Sequence, residues 1–369
     1  MKKRFIPPCA ERETIRAHCI TRVVDRSFVL QRKERDMMVG IIRKYEAFCG
    51  VRVLSYCCMT NHLHLLVEVP PKKKGAPVEM SDEVFLKKLK GLYSREAYRD
   101  CELMLKGLRE GPAKSDAAAE VFKAKFTRRM HDLSEFMKGV KQSFSRWFNK
   151  THGRVGTLWE SRFKSVIVED GYALRMVAAY IDLNPVRAGM VERPEDYKWS
   201  SYGEAMCPKA NKGRKLARSG ICRVLGKMDG AGDMRTTKGA NPSLQWEDGV
   251  AELYRMMLFS DGEEVFVDCR ESGEVAKRVK KGFKRKDVEK VLKNGGKLTF
   301  GEALRCRVRY LSDGIAVGSR GFVDGIFEQS RELFGEKRQT GARVMREVGW
   351  KEKNSRLYTM RQLRKKVVE

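Results

Sequence analysis

The sequence predicts an α+β protein: a ferredoxin-like antiparallel sheet with helices on one face, followed by a mainly helical C-terminal extension. Three observations predict it. Residues 19–69 read as strand, helix, strand, strand, the first half of a β-α-β-β unit. A helical stripe of Leu133, Phe136, Met137, Val140, Phe144, Trp147 and Phe148 falls at three- and four-residue intervals. A strand-like run and an apolar helix then follow, ending at Pro185.

Each element has a local reason. In "CITRVVDRSFVL" β-formers surround a turn-like Asp25, and "RKERDMMVGIIRKYEAF" sets Met38, Ile41, Ile42 and Tyr45 on one helical face. "VRVLSYCCM" and "HLHLLVEV" are two strands separated by Thr60 and Asn61, a hairpin spacing. From about 71 to 130 the rhythm breaks into charged helical segments, an inserted excursion. "GRVGTLWESRFKSVIVED" reads as turn and strand, and Asp170 can cap the helix from Gly171 to about Leu183. Residues 206–243 are rich in Gly, Lys and Arg and read as a basic linker around a short helical piece. Residues 244–369 read as a helical basic domain whose "NGG" and "SDG" turns suit a helix-turn-helix module. The catalytic unit is expected within 1–205.

The chain has 76 Lys and Arg against 48 Asp and Glu, a formal net charge of +28. Such an excess points to a polyanionic partner, nucleic acid before an anionic membrane surface. No stretch approaches the roughly 20 apolar residues of a membrane span, and the N-terminus lacks a signal-like apolar core, so no membrane partner and a cytoplasmic location are expected. The ten cysteines include no C-x-x-C pair, which excludes zinc-ribbon spacing and gives no disulfide framework.

Two of the five histidines stand in "NHLHLLVE". On a strand, His62 and His64 project to one face while Leu63 points to the other. Two adjacent imidazoles can take one divalent cation, or they can be ordinary hydrogen-bonded histidines at a strand edge; a third ligand would decide. In "MVAAYIDLNPVRAG", Tyr180 and Asn184 lie at i and i+4, on the flank of the stripe Leu174, Val177, Ala178 and Ile181. A tyrosine hydroxyl beside a cation-held phosphate can attack phosphorus, and a core-edge tyrosine would show the same pattern.

The segments "MTNHLHLLVE", "FSRWFNKTHGRVGTLWESRFKSVIVED", "YIDLNPVRAGMV" and "PEDYKWSSY" together resemble the REP-associated tyrosine transposases, relatives of the single-tyrosine insertion-sequence transposases. The resemblance spans about residues 15–205. It implies the HUH endonuclease fold, with His62-Leu63-His64 as the histidine-hydrophobe-histidine motif, Tyr180 as nucleophile and Asn184 completing the metal site. It also implies Mg²⁺ or Mn²⁺ as cofactor, and single-stranded DNA with palindromic hairpins as substrate, cleaved to a 5′-phosphotyrosine. The chain would act as a monomer or a homodimer. The excursion at 71–130 and the extension after 205 depart from the family core.

Basic residues and aromatics interleave between Phe136 and Ser165, as where phosphates and unstacked bases are both contacted. Lys138, Lys141, Arg146, Arg154, Arg162 and Lys164 are the expected DNA contacts, with Arg187 either a phosphate contact or a brace for its loop. His152 reads as a surface histidine near DNA; His18 and His131 read as structural. The competing function is a hairpin-binding regulator without turnover. Because all four catalytic side chains precede residue 205, chemistry is expected to outlast deletion of 241–369.

Overall fold

The structure, a computed structural model, describes residues 5–112, 114–226, 244–260, 265–267, 277–280, 314–336, 338–344 and 357–360. The frame is built by β1 (Ile15–Arg22), α1 (Arg32–Cys49), β2 (Arg52–Cys58) and β3 (His62–Val69). The excursion forms three helices, α2 (Asp82–Leu92), α3 (Arg95–Glu110) and α4 (Asp116–Thr127). Then come α5 (Leu133–Thr151), β4 (Lys164–Val168), α6 (Tyr172–Asp182), the one-turn α7 (Asn184–Arg187), α8 (Ser201–Met206) and α9 (Lys212–Leu225). Beyond residue 244 lie α10 (Val250–Ser260), a ribbon of β5 (Val265–Val267) and β6 (Lys277–Lys280), then β7 (Ala316–Gly318), α11 (Arg320–Glu328), β8 (Arg343–Val344) and β9 (Tyr358–Met360).

Seven strands form one sheet in the order β2-β3-β1-β4-β7-β9-β8. The first four are antiparallel, as expected, and β7 adds to β4 in parallel. The α+β class holds, but helices cover both faces of the sheet rather than one. The cause is visible in β2 and β3, which are buried almost throughout instead of on alternate residues. Leu63, Leu65 and Val67 enter one core with α1, α5 and the buried Phe85 and Leu89 of the excursion. Leu66 enters a second core with α6, α8, α9 and α10.

Close approach holds the first layer. A Cβ on Gly139 of α5 would overlap the ring of Tyr45 on α1, whose hydroxyl lies 2.8 Å from Ser143 Oγ. The excursion is tied by charge, Arg109 reaching Asp82, Asp116 and Glu120 at once. At the opposite sheet edge, "PEDYKWSSY" closes β2: Cys58 N–H donates to Trp199 O at 2.9 Å, Tyr56 N–H to Ser201 Oγ at 2.8 Å, and Tyr197 O–H to Cys58 O at 2.7 Å.

Two further expectations are corrected. The short helical piece within 206–243 is α9, which buries Ala217, Ile221, Val224 and Leu225 in the second core, so 212–225 form a structural layer and not part of a linker; 227–243 lie outside the described residues. In the described part of 244–369, α10 and α11 hold more residues than the short strands, of which β7, β8 and β9 extend the sheet. Most of the residues expected to form the helix-turn-helix lie outside the described ones. Finally, α6 is capped at Gly171, with φ of 81°, while Asp170 instead pairs with Arg16 and Arg223, each at 2.9 Å. Among the described residues no helix is long and apolar enough to cross a membrane, and the described cysteines are free thiols.

The end of α6 is anchored by a buried acid. Asp182 is fully buried and accepts hydrogen bonds from Tyr254 O–H at 2.6 Å, Ser55 O–H at 3.3 Å and Tyr202 N–H at 3.2 Å. Burial outweighs these donors and raises its pKa from 3.8 to about 7. Below the unfolded value both states carry the proton and stability is full. Between the unfolded value of 3.8 and the folded value the unfolded acid ionises while the buried native one keeps its proton, so stability declines until about pH 7, where the native acid ionises as well. Urea melts across pH 4–8 should therefore show a declining midpoint, and Asp182→Asn should remove that part of the slope.

Candidate active site

Register places the candidate residues. Because β1 runs antiparallel to β3, Arg22 faces His62, Ile20 faces His64 and His18 faces Leu66. Directly opposed residues share a face, so His62, His64, His18 and Arg22 all project toward α6. The same row continues to β4, where Ile20 faces Lys164. The α6 helix packs on β2 and β3 over this face through Val177, Ala178 and Ile181. That packing brings Tyr180 to the histidines within one chain.

The Tyr180 and His64 ring centroids are 5.6 Å apart, edge to face, and those of His62 and His64 are 4.9 Å apart. His18 meets His64 edge to edge, with ring centroids 5.2 Å apart and an interplanar angle of 20°, and its ring centroid is 5.9 Å from that of Tyr180. His18 Nε2 lies 2.9 Å from His64 Nδ1. His62 Nδ1 lies 2.7 Å from Asn61 Oδ1, and Asn61 Nδ2 donates to Arg26 O at 2.9 Å.

The electrostatics keep the imidazoles neutral. Burial, with Arg22 and Arg187 nearby, pulls His62 down to about 4. His64 lies well below the usual histidine range, first through burial and then through His62, His18 and the two arginines. A neutral imidazole offers a lone pair, the form a cation requires.

Arg187 braces the tyrosine. Its guanidinium carbon sits 4.2 Å from the Tyr180 ring centroid, and its Nη2 donates to Tyr180 O and to Asn184 Oδ1, each at 2.7 Å. Asn184 Nδ2 donates to the carbonyls of Tyr180 at 3.1 Å and Ile181 at 3.2 Å. The Asn184 amide is therefore used in closing the end of α6. Among the described residues no three His, Cys, Asp or Glu side chains converge as a metal cluster.

The expected DNA contacts divide between two locations. Lys164 and Arg187 belong to the histidine face. Lys138, Lys141 and Arg146 stand on α5, which packs against α1 in the opposite layer. There Lys138 pairs with Glu135 at 3.1 Å and Lys141 donates to Ser161 O at 2.7 Å. Trp159 bridges to Val23 and Glu160 N–H donates to Arg22 O, so the loop carrying Arg162 runs along the end of β1 near the histidines. Arg154 is exposed beside the Phe148 ring, and Phe144 and Phe148 are core. His152 Nε2 meets Glu34 Oε1 at 3.1 Å. His131 closes the turn at Gly50, its N–H donating to Cys49 O.

His18 and Arg22 are the site residues that sequence reasoning misses. No neighbour in sequence explains His18, so it reads as structural there; the available signal is its alternation with Ala17 and Cys19 on β1, which sets it on the face opposite the apolar one.

Residues 11–109 match the family model described as "Transposase IS200 like", the broader group to which the motifs point; the match covers the histidine strand and ends before Tyr180. No curated protein matches. Among solved structures, one described as "Structure of the REP associates tyrosine transposase bound to a REP hairpin" is 13% identical, covering 56% of this chain and 83% of that one with a TM-score of 0.34.

Proposed function

We propose that this chain, a relative of the IS200-like transposases over residues 11–109, is a metal-dependent transesterase that nicks and rejoins single-stranded DNA at palindromic hairpins. The observation that carries the reading is the meeting of Tyr180 with His62 and His64 on one sheet face, edge to face at 5.6 Å from His64, in a single chain. The net charge of +28 supports a polyanionic substrate.

In the proposed step the Tyr180 hydroxyl oxygen attacks the scissile phosphorus. One P–O bond forms, the bond to the 3′-oxygen breaks, and the phenolic proton leaves as the 3′-oxygen gains one. The products are a 5′-phosphotyrosine and a free 3′-hydroxyl. Rejoining reverses the step, so no nucleotide cofactor is needed. Arg187 holds the ring and the α6 terminus in place, and Lys164 and Arg22 add positive charge beside the phosphate.

Two neutral imidazoles on one face suit a divalent cation, proposed as Mg²⁺ or Mn²⁺. His62 and His64 would hold it, and it would polarise the phosphoryl oxygen. Asn184 is the proposed third ligand; to serve, its Oδ1 must exchange Arg187 for the cation.

Incubation with end-labelled hairpins and Mn²⁺, followed by denaturing gels, tests the reading: a covalent protein–DNA adduct is expected. Hairpin binding that never yields an adduct with either metal would leave a regulator instead. Arg187→Ala should lower the cleavage rate on the order of 100-fold through misplacement of Tyr180. His62→Ala and His64→Ala should each remove the metal-dependent cleavage.

A further inference from the structure

We propose that Asn61 and His18 are positioning residues that preset the tautomers of His62 and His64, so that both histidines present Nε2 lone pairs to one divalent cation. The inference rests on the metal-dependent reading above, and it concerns two side chains outside the histidine pair itself.

A neutral imidazole carries one N–H and one lone pair, and the hydrogen-bond partner of one nitrogen decides the state of the other. At His62 the choice follows from Asn61. The Asn61 amide nitrogen donates to Arg26 O at 2.9 Å, which turns its oxygen toward His62 Nδ1 at 2.7 Å. That oxygen can only accept, so His62 Nδ1 carries the hydrogen and Nε2 keeps the lone pair.

At His64 the partner is another imidazole. His18 Nε2 and His64 Nδ1 lie 2.9 Å apart, and the two residues are 0% and 2% exposed. One proton sits between these nitrogens. When it belongs to His64 Nδ1, His18 Nε2 accepts it and His64 Nε2 is left with a lone pair. The two rings meet edge to edge through this contact, centroids 5.2 Å apart and planes within 20°, so rotating the His64 ring would break it. The device depends on antiparallel register: His18 is opposite Leu66, one diagonal step from His64. Ligating histidines are commonly oriented in this manner, and loss of such a partner typically costs about 10- to 100-fold in metal affinity.

The direct measurement is a ¹⁵N-imidazole correlation spectrum of the full chain without metal. His62 and His64 are both expected as Nδ1–H tautomers; either one appearing as Nε2–H overturns the inference, whatever the protein does with metal or DNA. Mn²⁺ titration by electron paramagnetic resonance adds the functional arm. His18→Phe keeps an aromatic ring but removes the acceptor, and should weaken Mn²⁺ by about tenfold or more while hairpin affinity in chelator is unchanged; His18→Gln, which restores an acceptor, should recover part of it. Mn²⁺ affinity within about twofold of wild type in a folded His18→Phe protein would sink the proposal. Should that variant fail to fold, Asn61→Leu carries the same expectation at the more exposed His62. A wild-type protein with the expected tautomers and no Mn²⁺ binding would refute the metal-dependent reading and the assigned purpose of the tautomers together, whereas wrong tautomers with intact Mn²⁺ binding refute this inference alone.

Discussion

Tyr180→Phe is expected to abolish covalent attachment to DNA, with no residual adduct on a denaturing gel, while hairpin affinity stays within about twofold. Only the hydroxyl oxygen is lost. The ring keeps its edge-to-face position 5.6 Å from His64 and its place under the Arg187 guanidinium at 4.2 Å. Stability should hardly change, because the half-buried phenol packs by its ring. A Tyr180→Phe protein that still forms the adduct would move the nucleophile elsewhere and take the proposed chemistry with it.

Deletion of residues 241–369 is the second large effect, and here the structure reverses the expectation drawn from sequence. The proposed catalytic set lies before residue 205, yet the truncated chain is expected to lose cooperative folding and all cleavage. The deleted stretch supplies Val250, Tyr254, Met257 and Leu258 to the second core, and Val323, Ile326, Phe327 and Met360 to the first. It removes the outer strand partner of β4, where Ile167 pairs with Ala316 and Val168 with Val317. It also strips Tyr254 from Asp182, leaving a buried acid without its shortest hydrogen bond at the end of the tyrosine helix. Each large buried side chain removed costs roughly 2–5 kcal/mol, against a typical total stability of roughly 5–15 kcal/mol. Circular dichroism melts of the truncated chain check this. A cooperative transition with retained cleavage would show that the C-terminal strands are an accessory layer.

Much of the site is legible in the sequence because it is local. The i, i+2 spacing of His62 and His64 puts both on one face of any strand, and the i, i+4 spacing of Tyr180 and Asn184 puts both on one flank of any helix. The hairpin between β2 and β3, the excursion and the helical stripe of α5 follow from similar short-range patterns. His18 is not legible: it lies 46 residues from His64, and only the pairing register of β1 with β3 makes them neighbours. The α5 lysines show the converse. Their interleaving with aromatics is legible in the sequence, but that α5 packs on the sheet face away from Tyr180 is not.

Read alone, the sequence marks which side chains could do chemistry, because periodicity assigns faces and a backbone of fixed geometry obeys it. It also determined the antiparallel core and the excess of positive charge. Tertiary structure alone decided that the sheet is covered on both faces, that "AVG" at 316–318 joins β4 from a distant part of the chain, and that α10 reaches back to hold Asp182. These are pairings between remote segments, chosen by which apolar faces and buried polar groups can satisfy one another. No window along the chain contains both partners, so nothing in local spacing could have announced them.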